Sequence, residues 1–94
     1  MSNFTIQQTE TSPGAFYIES QDDQRAGVLD YRVKEETLII DHVGASNELR
    51  GTGAARQLVD HAIKWAIGQG YAVRSKCSYG RHVLEKHYPH LLED

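Results

Sequence analysis

The chain has 94 residues, 39% of them hydrophobic and 24% charged, with a net charge of −3 at pH 7. That size and apolar content suit a single domain over residues 1–94 with a core of its own, and exclude a disordered chain. The lone cysteine, Cys77, excludes an internal disulfide and a cysteine-built zinc site, while the acidic balance weighs against a nucleic-acid partner.

From the N-terminus, residues 1–14 have neither the basic start nor the apolar run of a signal peptide. No stretch approaches the roughly 20 apolar residues of a membrane span, so the expectation is a soluble, cytoplasmic protein with no membrane partner. Residues 3–9 alternate weakly, Phe4 and Ile6 falling on one face, as in a short edge strand. Thr11, Ser12, Pro13 and Gly14 read as a turn, and residues 15–19, aromatic and β-branched, as a second strand. Residues 20–24 make a polar hairpin loop. Residues 25–33 form a third strand, with Leu29, Tyr31 and Val33 on one face and Val28 and Asp30 on the other. A tight turn at Lys34, Glu35 and Glu36 leads to a fourth strand at 37–45, whose Leu38-Ile39-Ile40 run suggests burial on both faces. Short turns throughout predict an antiparallel meander.

The period then changes. Ala54, Ala55, Leu58, Val59, Ala62, Ile63, Ala66 and Ile67 recur at helical spacing and predict one broad apolar face, with Gln57, Asp60, His61 and Lys64 opposite. Gly68 and Gly70 stop this helix. Residues 71–77 read as a fifth strand, parallel to the fourth because a strand–helix–strand crossover is right-handed. Residues 78–88 read as a second helix capped by Ser78, with Tyr79, His82, Val83 and Lys86 at helical spacing and Pro89 ending it. Leu91 or Leu92 pins the C-terminus. The predicted class is α+β with element order ββββαβα.

One stretch carries chemistry on its face. The apolar fourth strand runs through a short polar turn into Arg50, Gly51, Thr52, Gly53, Ala54 and Ala55 and then the helix. A glycine-rich turn opening a helix can hold a phosphate, because turn N–H groups and the positive end of the helix dipole converge there. Small Ala54 and Ala55 allow a ligand to approach the first helical turn. The motif is neither a Walker nor a Rossmann sequence. The His87 and His90 pair lacks a third ligand and is broken by Pro89, so no metal site is expected. Trp65 reads as a partly exposed packing residue.

Arg50, Gly53 and Ala55, spaced Arg-x-x-Gly-x-Ala between a fourth strand and a helix, resemble the acyl-CoA pyrophosphate motif of the GNAT acetyltransferase superfamily. The wider pattern is Asp41-His42, then Glu48-Leu49-Arg50-Gly51, then Cys77-Ser78-Tyr79. It resembles a compact GNAT-like subfamily of small bacterial N-acetyltransferases of the YjdJ type. The likeness covers nearly the whole chain, residues 39–88 most specifically. Larger GNAT enzymes place two helices between their first two strands, whereas here residues 10–14 are only a turn. The resemblance therefore implies a minimal GNAT fold whose acyl-CoA half is present and whose acceptor wall is reduced.

What the resemblance implies for the site can be stated residue by residue. Backbone N–H groups from Arg50, Gly51, Thr52, Gly53, Ala54 and Ala55 hold the pyrophosphate of acetyl-CoA, the implied cosubstrate. The backbone of Val43, Gly44 and Ala45 pairs with the pantetheine arm like an added strand, and Gly44 marks a bulge or close approach there. The thioester sits near His42 and Cys77. Alternation puts Asp41 and His42 on opposite faces; His42 reads either as a structural histidine or as a general base. Cys77 reads as a small buried hydrophobe or as a thiol activated by the following helix, and Tyr79 as a proton donor to the departing CoA thiolate. The implied reaction is transfer of acetyl from acetyl-CoA to an unidentified amine. The alternative is a CoA-binding module without transferase activity, sensing redox state through Cys77.

Overall fold

The computed structural model describes residues 5–9, 11, 13–19, 26–46 and 52–92. Phe4, Ser12, loop 20–24 and Arg25 lie outside the described residues. Five strands form one sheet in the order β1-β2-β3-β4-β5: β1 (Ile6–Gln8), β2 (Gly14–Ile18), β3 (Gly27–Lys34), β4 (Thr37–Ala45) and β5 (Ala72–Ser75). The first four pair antiparallel and β5 runs parallel to β4, joined to it through helix α1 (Ala54–Gln69). Helix α2 (Ser78–His87) and a 3-10 turn (Pro89–Leu92) follow. This is the expected α+β order.

The core lies between the sheet and the helices. Phe16, Ile18, Leu29, Leu38, Ile40, Leu58, Val59, Ile63 and Leu84 are fully buried in one cluster, each such side chain contributing about 1.5–3 kcal/mol relative to leaving it in water. Helix α1 buries Ala54, Leu58, Val59, Ala62, Ile63 and Ala66, the predicted face, although Ile67 is 49% exposed. Trp65 is half-buried, its ring against Phe16, Tyr31 and Tyr71. Leu91 packs on the core and ties down the C-terminal turn. Ile39 is only half-buried, because a meander has helices over one face alone.

Three element ends differ from expectation for local reasons. Helix α1 continues through Gly68 and stops at Gly70, whose φ of 78° lets its N–H turn back to the Ala66 and Ile67 carbonyls. Strand β5 ends at Ser75, since Lys76 and Cys77 already bend into α2. Ser78 is the first helical residue and not a cap; Cys77 is the N-cap, without a side-chain cap bond. The buried residues of α2 are Gly80, Val83 and Leu84, whereas Tyr79, His82 and Lys86 are exposed. The β3–β4 hairpin turns on Glu35 and Glu36, both left-handed with φ of 52° and 60°.

Candidate functional site

The β3–β4 ladder carries a bulge. Tyr31 pairs with Ile40 and Asp30 with His42, so Asp41 is one extra residue on β4. Such an insertion interrupts alternation and turns two consecutive side chains to one side. Asp41 reaches Arg32, receiving hydrogen bonds from Nε at 2.8 Å and Nη2 at 2.9 Å. Arg32 and Asp30 are two apart on β3 and share the face away from the buried Tyr31. Asp41 and His42 therefore share a face, correcting the expectation from simple alternation. The bulge also sits at Asp41, not at Gly44. Gly44 instead makes room for the His42 ring: a Cβ there would stand 3.1 Å from Nε2.

The bulge lies where β4 and β5 part. Their ladder runs only from Thr37 and Ala72 to Ile40 and Ser75, closed by a bond from the Lys76 N–H to the Ile40 carbonyl at 2.8 Å. Beyond it, β4 continues to Ala45 while the chain of β5 leaves for α2. The Ser46 N–H donates to the Ala26 carbonyl on the β3 side. Alternation back from there puts the backbone groups of Val43 and Ala45 on the other, open edge. An extended ligand arm can add to an edge of this kind.

In the chain, β4 is followed by α1. Arg50 and Gly51, with Glu48 and Leu49, lie outside the described residues; Thr52 and Gly53 are exposed. Gly53 is the N-cap in a left-handed conformation (φ 83°), with no atom of the described residues within 4 Å of where a Cβ would stand. Thr52 Oγ1 accepts from the Ala54 N–H at 3.3 Å, but the cap has no side chain and the first turn no acidic residue. Among the described residues no acidic side chain offsets the positive partial charge at that end of the helix, which suits an anion such as a phosphate. Ala54, by contrast, is buried in the core. Its small side chain serves packing, and only the half-buried Ala55 has its side chain near the surface.

The remaining candidates flank the split strands. Cys77 is a free, half-buried thiol packed against the core, on the helix side. Ser75 Oγ donates to its carbonyl at 2.7 Å and accepts from its N–H at 3.2 Å. Tyr79 is 38% exposed on the first turn of α2. His42 is exposed on the opposite face of the sheet, beside Asp30. Among the described residues no hydrogen bond joins His42, Cys77 and Tyr79. They do not form a contacting triad.

The strand pattern alone does not distinguish Asp41 from Asp30 on the outer face. Arg32 bonds both oxygens of Asp41 and holds its carboxyl below the usual carboxylate range, against the opposing effect of partial burial. Asp30 is half-buried, and no described residue bonds its carboxylate. A cavity of about 330 Å³ extends from Thr9, Thr11 and Pro13 after β1 past Gly14, Ala15 and Tyr31 to Asp30 and Asp41. His87 receives a hydrogen bond from Arg56 Nη1 at 2.9 Å, and His90 lies against the Tyr88 ring. Local desolvation, with the Arg56 charge beside it, keeps the His87 pKa below its ordinary value.

Comparison with known proteins places this geometry. A family model described as GCN5-related N-acetyl-transferase matches residues 15–92. A GCN5-like candidate N-acetyltransferase from Staphylococcus aureus, solved in solution, is 33% identical. It aligns over 92% of this chain and 82% of its own, with a TM-score of 0.69. The ribosomal-protein-alanine N-acetyltransferase of Brucella melitensis is 18% identical over 78% of this chain, with a TM-score of 0.62. AAC(6')-Iy, solved with the bisubstrate analogue CoA-S-monomethyl-acetylneamine, is 16% identical over 86% of this chain, with a TM-score of 0.56. These last two share the fold, and this chain spans 61% of each. No curated protein matches in sequence.

Proposed function

The chain belongs to the GCN5-related N-acetyltransferase family, and from that premise we propose that it transfers an acetyl group from acetyl-CoA to an amine. The observation that carries this reading is the open edge of β4, followed in the chain by α1, whose N-cap Gly53 offers no side-chain cap bond. In this reading Val43, Gly44 and Ala45 offer their backbone to the pantetheine arm. Arg50, Gly51, Thr52, Gly53, Ala54 and Ala55 surround the pyrophosphate with N–H groups, and the Arg50 guanidinium adds a charge-assisted bond. The thioester then lies at the split between β4 and β5.

The amine attacks the thioester carbonyl directly. A C–N bond forms and the C–S bond breaks, while a backbone N–H of β4 stabilises the developing oxyanion. His42, or a water it orders, takes the amine proton, and Tyr79 protonates the departing thiolate. Cys77 lines the split from the helix side, where a thiol–CoA disulfide is the alternative chemistry. No helix is long and apolar enough to cross a membrane among the described residues, and a reaction drawing on acetyl-CoA belongs in the cytoplasm.

The test is titration of the protein with acetyl-CoA. Heat release and a rise in melting temperature of about 10 °C are expected at a hundredfold excess over Kd. Neither signal, from folded protein, overturns the reading. A CoA adduct on Cys77 under oxidising conditions, without acetyl transfer to any amine, replaces it with the redox alternative.

A further inference from the structure

The outer face also carries information about the acceptor, on the reading that acetyl is transferred here. Asp30 lies directly across the β3–β4 ladder from His42, and neighbouring strands stand about 4.8 Å apart. The cavity of about 330 Å³ has Asp30 and Asp41 in its lining. That volume is at the small end of the roughly 300–1,000 Å³ of ligand sites.

Its polar lining is already committed, with one exception. The Asp41 carboxylate is held at both oxygens by Arg32. The Thr11 hydroxyl bonds Thr9 and the Pro13 carbonyl, and the Thr9 hydroxyl receives the Ala15 N–H. Among the described lining residues, the Asp30 carboxylate is bonded by no described residue and is the one charge left without a partner. A ligand that satisfies it is a cation.

That cation cannot be the reacting nitrogen, because a carboxylate paired with an ammonium holds the proton that must leave before attack. We propose that the acceptor is a short alkyl diamine, with one amine at the open edge of β4 beside His42 and the other, still protonated, on Asp30. The free nitrogen attacks the acetyl carbonyl carbon, forming the C–N bond as the C–S bond breaks. Its proton passes to His42 and CoA leaves as the thiolate. The second ammonium stays paired throughout, and a short alkyl spacer crosses the one strand between the two positions. An amine bearing a carboxylate is repelled at Asp30, and a monoamine leaves it unpaired.

Putrescine, its monoamine counterpart n-butylamine and a lysine peptide are the probes. Without acetyl-CoA, putrescine is expected to shift the backbone amide resonances of Thr9, Asp30 and Tyr31, and Asp30→Asn to abolish those shifts while Asp30→Glu retains them. With acetyl-CoA, Asp30→Asn is expected to raise the KM for putrescine at least tenfold and to change kcat less than threefold, with a several-fold smaller effect on the KM for n-butylamine. No shifts in the wild-type protein, equal losses for both amines, or a lysine peptide preferred over putrescine each overturn the proposal. Acetyl-CoA that binds normally while putrescine does not refutes the diamine alone. Putrescine held through Asp30 in a protein that gives no heat with acetyl-CoA refutes the transferase reading and leaves a diamine-binding cavity.

Discussion

Gly44 leaves the space that the His42 imidazole occupies: a Cβ at position 44 would stand 3.1 Å from Nε2. That separation is tight enough to move the ring by a few tenths of an ångström, and His42 is exposed, so the ring has somewhere to go.

Gly44→Ala should therefore alter catalysis more than stability. With His42 as the base, its removal is expected to lower kcat about 100-fold or more, and Gly44→Ala to lower it by a smaller factor with acetyl-CoA affinity retained. The His42 ring resonances should shift in Gly44→Ala. An unchanged rate in His42→Ala removes the histidine from the reaction.

Gly80 presents the opposite case. A Cβ there would meet Ser75 Oγ at 2.5 Å, with Ile40 Cγ2 at 3.5 Å behind it. Ser75 cannot move freely because it bonds both the N–H and the carbonyl of Cys77. Gly80→Ala is expected to cost about 1–3 kcal/mol and to lower the melting temperature by roughly 10 °C. Adding Ser75→Gly removes the clashing atom. The double variant should be more stable than the sum of the single changes requires, and strict additivity would contradict this account.

The turn at Glu35 and Glu36 holds two left-handed residues, φ 52° and 60°, where a two-residue hairpin favours Asn-Gly. Each left-handed non-glycine residue costs about 1–2 kcal/mol. Replacing the pair by Asn-Gly should stabilise the protein by about 1 kcal/mol and raise its melting temperature by about 5 °C, with acetyl-CoA binding unchanged. Thermal denaturation of the two proteins decides it.

Arg32 keeps the Asp41 carboxyl below its unfolded pKa of about 3.9. The pair therefore stabilises the fold fully above that value and loses its effect as pH falls through the lower folded one. Arg32→Met should melt at a lower temperature than the parent at pH 7, and the gap should close near pH 2. Both groups are about one-third exposed, so the gap is modest and shrinks in high salt. A gap that persists at pH 2 would mean that Arg32 acts through packing of its stem instead.

Local patterns made most of this fold legible. The i, i+4 rows of α1, the glycine at position 70 and the turn-bounded strands each follow from a few adjacent residues. The bulge does not. It depends on how β4 pairs with β3 and on Arg32, nine positions away from Asp41, and so the shared face of Asp41 and His42 is hidden from any alternation rule. The same holds for Asp30, which becomes notable only once His42 is opposite it. Gly53 illustrates the mixed case. Its position before a helix is plain in the sequence, while its left-handed φ is a fact of the folded chain.

The sheet ends on β1 and β5, strands of three and four residues, too short to template much growth by a neighbouring molecule. The longer vulnerable stretch is internal: the part of β4 beyond Ile40, where backbone groups face outward after β5 has turned away. A ligand arm laid along it would act as a cap against strand-to-strand association. The coenzyme would then serve as a solubility factor as well as a substrate, and protein kept loaded during refolding should aggregate less than protein refolded without it.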